Sequence, residues 1–256
     1  MLSFNLNINE LAILLTIALR LSIILFMLPI FNSPGVPSAV KALTIVALSV
    51  MLFPVISKSI QPIRLEMASF VSVILGELIY GILFSLSMLI ILGAFEVAGE
   101  LIGFEMGFGF AQTADPQTGA RFTVLAVWTQ LIATLVFLSI NGHHMILKIL
   151  VESFKTVPVG SFALDSALFS KFLLLSGMLF ILAVKLAAPI LAVLILTQIG
   201  LGLMSKFAPQ INILATSFPL TITLGMFFVG LTMVFWAEKG TESFSHLFQF
   251  LANFSK

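Results

Sequence analysis

Three ionisable side chains, Arg20, Glu77 and Lys185, interrupt long apolar runs of this sequence. A charge in such a run is costly and ordinarily faces a watery cavity or an opposite charge. Two chemistries suit these three. One is a polar conduit or proton path. The other is a buried pair, Glu77 with Arg20 or with Lys185, that fixes helix register. A second group is acidic: Glu96 and Glu100 stand one turn apart on one helical face, where like charges repel, and Glu105 follows. That face needs water or a basic partner. It is either an acidic lining beside a break in the chain or a helix emerging into solvent. His143 and His144 are adjacent, so their rings diverge by roughly 100° on a helix and make a poor bidentate metal site. No metal or cofactor is expected. The chain has 0 cysteines, no GxSxG, HExxH or GxxxxGK[ST] motif, and only Asp115 and Asp165 as aspartates, both in loops. No catalytic residues are assigned, and an enzyme is not expected.

The elements that must position these groups are organised around residues 99–121, GELIGFEMGFGFAQTADPQTGAR. Gly99, Gly103 and Gly107 recur every fourth residue and would share one helix face, letting another backbone approach closely. From Gly107 onward Gly109, Asp115, Pro116 and Gly119 crowd together and break the helical pattern. Phe104, Met106, Phe108 and Phe110 nevertheless keep the segment greasy. Irregular backbone at membrane depth persists only where protein or an aqueous cavity surrounds it. The segment is therefore expected to line or block a conduit. Met106 and its Phe neighbours read as a flexible gasket or as plain packing; the interleaved glycines, poor core material, favour the gasket.

Of the 256 residues, 60% are hydrophobic and 9% charged, and mean hydropathy is +1.19. Soluble domains carry about 25% charged residues, so this chain is an integral membrane protein or is buried in an apolar assembly. A net charge of +1 argues against nucleic acid. No basic residue precedes the first apolar run, so that helix is expected to be retained. Asn9 is a candidate cap for a span over 11–30. Further apolar helices are expected over 39–56, 67–98, 122–140, 167–204 and 211–236, giving an all-α chain of six main helices with broken or kinked hairpins. A short amphipathic helix and linker are expected over 145–165, and a separate amphipathic tail helix over 238–256. Pro189 should kink the fifth main helix. The loop charges, taken alone, would place both termini in the cytoplasm.

Three segments, taken together, carry a resemblance: the Gly/Phe/Met break ending at Asp115-Pro116, Asn141-Gly142-His143 after the fourth helix, and Ala208-Pro209-Gln210-Ile211-Asn212-Ile213 with Phe218-Pro219-Leu220. In this order and length they resemble the FliR family of flagellar export-gate proteins, related to the SctT components of injectisome type III secretion. The resemblance implies a subunit of a helical, multi-subunit pore built with FliP-like and FliQ-like chains, working with FlhB-like and FlhA-like export components. Unfolded flagellar proteins would pass through it. It implies a FliP-like part over 1–160 and a FliQ-like hairpin with an amphipathic tail over 161–256. The family's plug loop falls on 104–121, with Phe104, Glu105, Met106, Gly107, Phe108, Gly109, Phe110, Asp115, Pro116 and Gly119. Its hairpin turn falls on Ala208, Pro209, Gln210 and Asn212. The implied location is the bacterial inner membrane, in the flagellar basal body, in contact with lipid but largely on the periplasmic side, which overrides the loop-charge topology. The competing reading is a self-contained secondary transporter for a small solute, with Arg20, Glu77 or Lys185 in its site.

Overall fold

A computed structural model of the chain describes residues 7–28, 31, 35–57, 60, 67–109, 122–160, 166–207, 210 and 212–254. Among these residues the chain is all-α, with no strand. Its helices are α1 (Ile8–Met27), α2 (Ser38–Ile56), α3 (Met67–Glu105), α4 (Val124–Ser139), α5 (Gly142–Thr156), α6 (Ser166–Phe207) and α7 (Ile213–Phe254). Five of them are long and apolar enough to cross a membrane, six if α4 and α5 are counted as one broken span.

Local chemistry explains the boundaries. Asn7, not Asn9, caps α1: its side chain accepts from the Ile8 amide at 2.9 Å, and Glu10 reaches back to the Asn7 amide at 3.2 Å. The acid three residues after Asn7 completes a reciprocal box, which Asn9 lacks. At the start of α4 the Thr123 hydroxyl accepts from the Ala126 amide at 3.2 Å. Asn141 adopts φ 55°, a left-handed turn that ends α4 and starts α5. The amphipathic segment expected from 145 thus begins at Gly142.

Two helices run further than the sequence suggests. α3 continues to Glu105 rather than stopping near Ala98, so Phe104 and Glu105 belong to its last turn and not to a loop. α7 continues through Trp236 and Glu238 to Phe254, so the tail is not a separate helix. No proline or glycine cluster interrupts that stretch, and the lone Gly240 is tolerable in a helix. Similarly, α6 runs on through Pro189. α3 has 39 residues and α6 and α7 have 42 each, about 58 to 63 Å at 1.5 Å per residue. A hydrocarbon core of about 30 Å covers half of that.

The chain divides into two compact units. The first comprises Met1–Leu89, Asn141–Leu174 and Ser245–Lys256; the second comprises Ile90–Ile140 and Leu175–Phe244. α3, α6 and α7 each supply residues to both. The first unit's core includes Ile17, Leu21, Tyr80, Phe84, Leu150 and Phe154. The second is built on Ala98, Ile102, Phe137, Leu186, Trp236 and Phe244. There Trp236 Nε1 donates to the Leu186 carbonyl at 3.0 Å, tying α7 to α6.

Candidate functional site

Both ends of the described break are tied down within the second unit. At the outgoing end, Glu105, Met106 and Gly107 each meet a different residue of α6 or α7. Gln198 Nε2 donates to the Glu105 carbonyl at 3.1 Å. Thr221 Oγ1 donates to the Met106 carbonyl at 3.2 Å. Gly107 turns the chain with φ 93°, and a Cβ there would lie 2.5 Å from the Phe218 ring. Positive φ and the absent side chain both require glycine. Met106 itself is fully buried. Its side chain fills a notch at Gly225, where a Cβ would come within 2.6 Å of the sulfur. Phe218, Thr221 and Gly225 are spaced to share one face of α7.

At the returning end, one carboxylate oxygen of Glu100 accepts from both the amide and the hydroxyl of Thr123, each at 2.9 Å. A charged acceptor makes these stronger than neutral bonds. Of the clustered acids, Glu100 faces a donor pair at the head of α4, and Glu96 and Glu105 are half-buried. The same strip of α3 carries two glycines. A Cβ at Gly99 would lie 2.7 Å from the Ala126 Cα and the Leu125 carbonyl, and one at Gly103 would lie 2.8 Å from Thr123 Cβ. α4 therefore packs on α3 nearly backbone to backbone, and that approach delivers Thr123 to Glu100.

Phe104, in the last turn of α3, is exposed; beyond the outgoing end Phe108 is half-buried and Gly109 is buried against the Phe104 ring. Phe110, Asp115, Pro116 and Gly119 lie outside the described residues. So do Ala208 and Pro209 of the hairpin turn, whereas Gln210 and Asn212 are exposed and the Asn212 carbonyl accepts from the Thr216 amide at 3.1 Å.

The buried charges lie in the first unit. Arg20 and Glu77 are both 0% exposed. Arg20 Nε donates to one Glu77 oxygen at 2.5 Å and Nη2 to the other at 2.7 Å. Nη1 donates to Ser153 Oγ at 3.1 Å. The guanidinium carbon also lies over the rings of Tyr80 and Phe154, 4.5 and 4.1 Å from their centroids. Four groups from α3 and α5 thus hold one side chain of α1. Lys185, grouped with this pair because an apolar run surrounds it, is instead exposed on α6. Leu182, Ala183, Leu186, Ala187 and Ile190 form the packed stripe of that helix, and Lys185 lies outside it. α6 is apolar all round, so its sequence alone does not show which side meets protein.

Sequence reasoning missed Gln198, Thr221 and Gly225. A threonine and a lone glycine four residues apart in an apolar helix are the available signal, and they do not say what they face. The His143 and His144 rings are tilted by 42° to each other, with centroids 4.2 Å apart. Among the described residues no three acidic or histidine side chains converge on a common point.

Residues 11–247 match the family described as bacterial export proteins, family 1. The chain is 31% identical to the flagellar biosynthetic protein FliR of Escherichia coli K12 over 237 residues, 92% of this chain and 89% of that protein. It is 31% identical to FliR of Pectobacterium carotovorum over 225 residues, 88% of this chain and 85% of that protein. FliR of Bacillus subtilis 168 is 29% identical over 240 residues, 90% of each. Apolar helices too long for one bilayer crossing, and a glycine-rich break held at both ends, thus occur in a chain that belongs to the FliR family of bacterial export proteins.

Proposed function

We propose that this chain is a structural and gating subunit of the flagellar type III export pore, and that residues 104–121 form its plug. The supporting observation is the double anchorage of the break. Glu105, Met106 and Gly107 are held by Gln198, Thr221, Gly225 and Phe218, while Thr123 is held by Glu100. A segment fixed at both feet and rich in Phe, Met and Gly between them suits a seal that deforms around an extended polypeptide and then closes. Such a seal is a physical necessity. A pore wide enough for protein would otherwise leak ions, and each charge crossing is worth about 2.3 kcal/mol per 100 mV.

On this reading the chain works in the inner membrane with FliP-like and FliQ-like subunits and with FlhB-like and FlhA-like components. Residues 1–160 are the FliP-like part and 161–256 the FliQ-like hairpin, largely on the periplasmic side. The role is structural rather than catalytic. The apolar, outward-facing side chains of α6 and α7, such as Leu196, Leu203, Phe227 and Val234, would be covered by those neighbours. A solute transporter fits less well, because Arg20 and Glu77 are sealed from solvent and satisfy each other.

The test is to shorten residues 107–118 in cells and follow ion permeability while checking that the chain still co-purifies with its FliP-like and FliQ-like partners. Cells carrying the assembled, shortened chain should leak small ions. Unchanged permeability with intact assembly would remove the plug from the account.

A further inference from the structure

We infer that Met106, Thr221 and Gly225 form a releasable latch that positions the foot of the plug on α7, and that this latch opens each time the pore passes a polypeptide; the inference rests on the plug reading of 104–121. Three features make the contact releasable.

The first is the donor. Thr221 is 3% exposed, and its hydroxyl lies within hydrogen-bond distance of three carbonyls: Met106 at 3.2 Å, Ser217 at 3.0 Å and Phe218 at 3.2 Å. A hydroxyl has one hydrogen to donate and turns to suit. When the foot of the plug departs, that hydrogen falls back onto Ser217 within α7, so no buried donor is orphaned. The Met106 carbonyl it leaves behind belongs to a turn at a helix end, where water or the loop itself can serve it.

The second is the notch. Met106 is the residue just after α3, yet it is fully buried. It fits because Gly225 has no side chain: a Cβ there would lie 2.6 to 2.8 Å from the sulfur, Cε and Cγ. A methionine in a glycine notch is held by dispersion alone, on a side chain with three rotatable bonds. It can withdraw without breaking a charge pair.

The third is the hinge beside them. Gly107, with φ 93°, follows Met106 directly, so a backbone rotation there would turn Phe108 and Gly109 away from α7 while α3 stays in place. Pro219 lies between Phe218 and Thr221 and, having no N–H, removes one ladder bond from α7 at this level. A displacement of α7 near Pro219 would therefore be transmitted to the plug's foot through Phe218, Thr221 and Gly225. Polypeptide transit and the position of the α6–α7 hairpin would be coupled.

The chain contains 0 cysteines, so a disulfide can test this in the complete export assembly. Met106→Cys with Gly225→Cys puts two thiols across the notch, with each single variant as control. After oxidation, the latch account expects a bridge in the assembled complex, loss of flagellin export, and full recovery on reduction. Export continuing at the unbridged rate, or failure to form any bridge in assembled complexes, would overturn it. Thr221→Val gives a second arm that does not depend on cysteine chemistry. It should raise ion leak through complexes of normal composition, and Thr221→Ser should restore the seal. Wild-type tightness in Thr221→Val would overturn the latch. The shortened 107–118 chain separates the two failures. If it leaks while the latch variants behave as wild type, the latch is wrong and the plug stands. If it does not leak, the plug reading falls and the latch with it.

Discussion

Arg20 in the first unit and Thr221 in the second are both buried polar side chains that bond residues far away in the chain, yet they are held by opposite means. Arg20 has a bidentate carboxylate, a serine and two aromatic faces around it. Removing either member of the ion pair leaves an unpaired charge in an apolar interior. Thr221 has one neutral hydrogen and three carbonyls that can take it, so losing one costs little. The first arrangement fixes α1, α3 and α5 in a single register. The second holds the turn at Met106 only as firmly as a neutral hydrogen bond and a glycine notch allow. A subunit that must stay assembled while part of it moves needs both.

Mutations can break or sharpen that contrast. The largest effect is expected at the ion pair. Arg20→Ala leaves Glu77 buried and unpaired, which should destabilise the first unit by about 3–5 kcal/mol and deplete the chain from membranes. Replacing both partners with apolar residues, Arg20→Met with Glu77→Leu, should recover much of that loss, because no isolated charge remains. Chain recovered in membranes, and its unfolding midpoint in detergent, would measure both. If the double variant were no better than the single one, the pair would be doing more than fixing register.

Next come the close contacts of α3 with α4. Gly99→Val must push against the Ala126 backbone, 2.7 Å from the added Cβ, and overpacking of this kind costs about 1–3 kcal/mol. Glu100→Ala leaves the Thr123 amide and hydroxyl without their shared acceptor, at about 1–3 kcal/mol. Both should loosen the returning end of the break, read as faster proteolysis between α3 and α4. Thr221→Val should cost only about 1 kcal/mol, too little to alter chain abundance, so any leak it causes is a local effect. Smallest of all, Lys185→Gln should leave the unfolding midpoint unchanged, because Lys185 is exposed on α6. A clear drop would mean the lysine has a partner within the chain.

The helical class and most helix limits were legible because apolar runs and Pro/Gly clusters are local signals. The errors arose where a local signal had to be weighed against distant packing. The span expected over 67–98 stops short, although Gly99 and Gly103 read as a face for close backbone approach: α3 continues through them to Glu105, with Ala126 and Thr123 against the space they leave. The α7 tail changes from apolar to amphipathic at Glu238 without changing backbone. At the buried charges, the residue types pointed to a pair, but nothing along the chain chose between Arg20 and Lys185, 57 and 108 residues away. The contact of Thr221 with Met106 joins residues 115 apart, and neither type is unusual in an apolar helix. Gly107 is different: a glycine within a Phe- and Gly-rich run marks a backbone break, and it has φ 93°.

The most direct test is electrical. The complete export assembly, purified with either the natural chain or the chain shortened over 107–118, would be placed in planar bilayers under an applied potential. The account predicts a silent natural assembly and steady conductance from the shortened one. Equal conductance from two assemblies of identical subunit composition would contradict it.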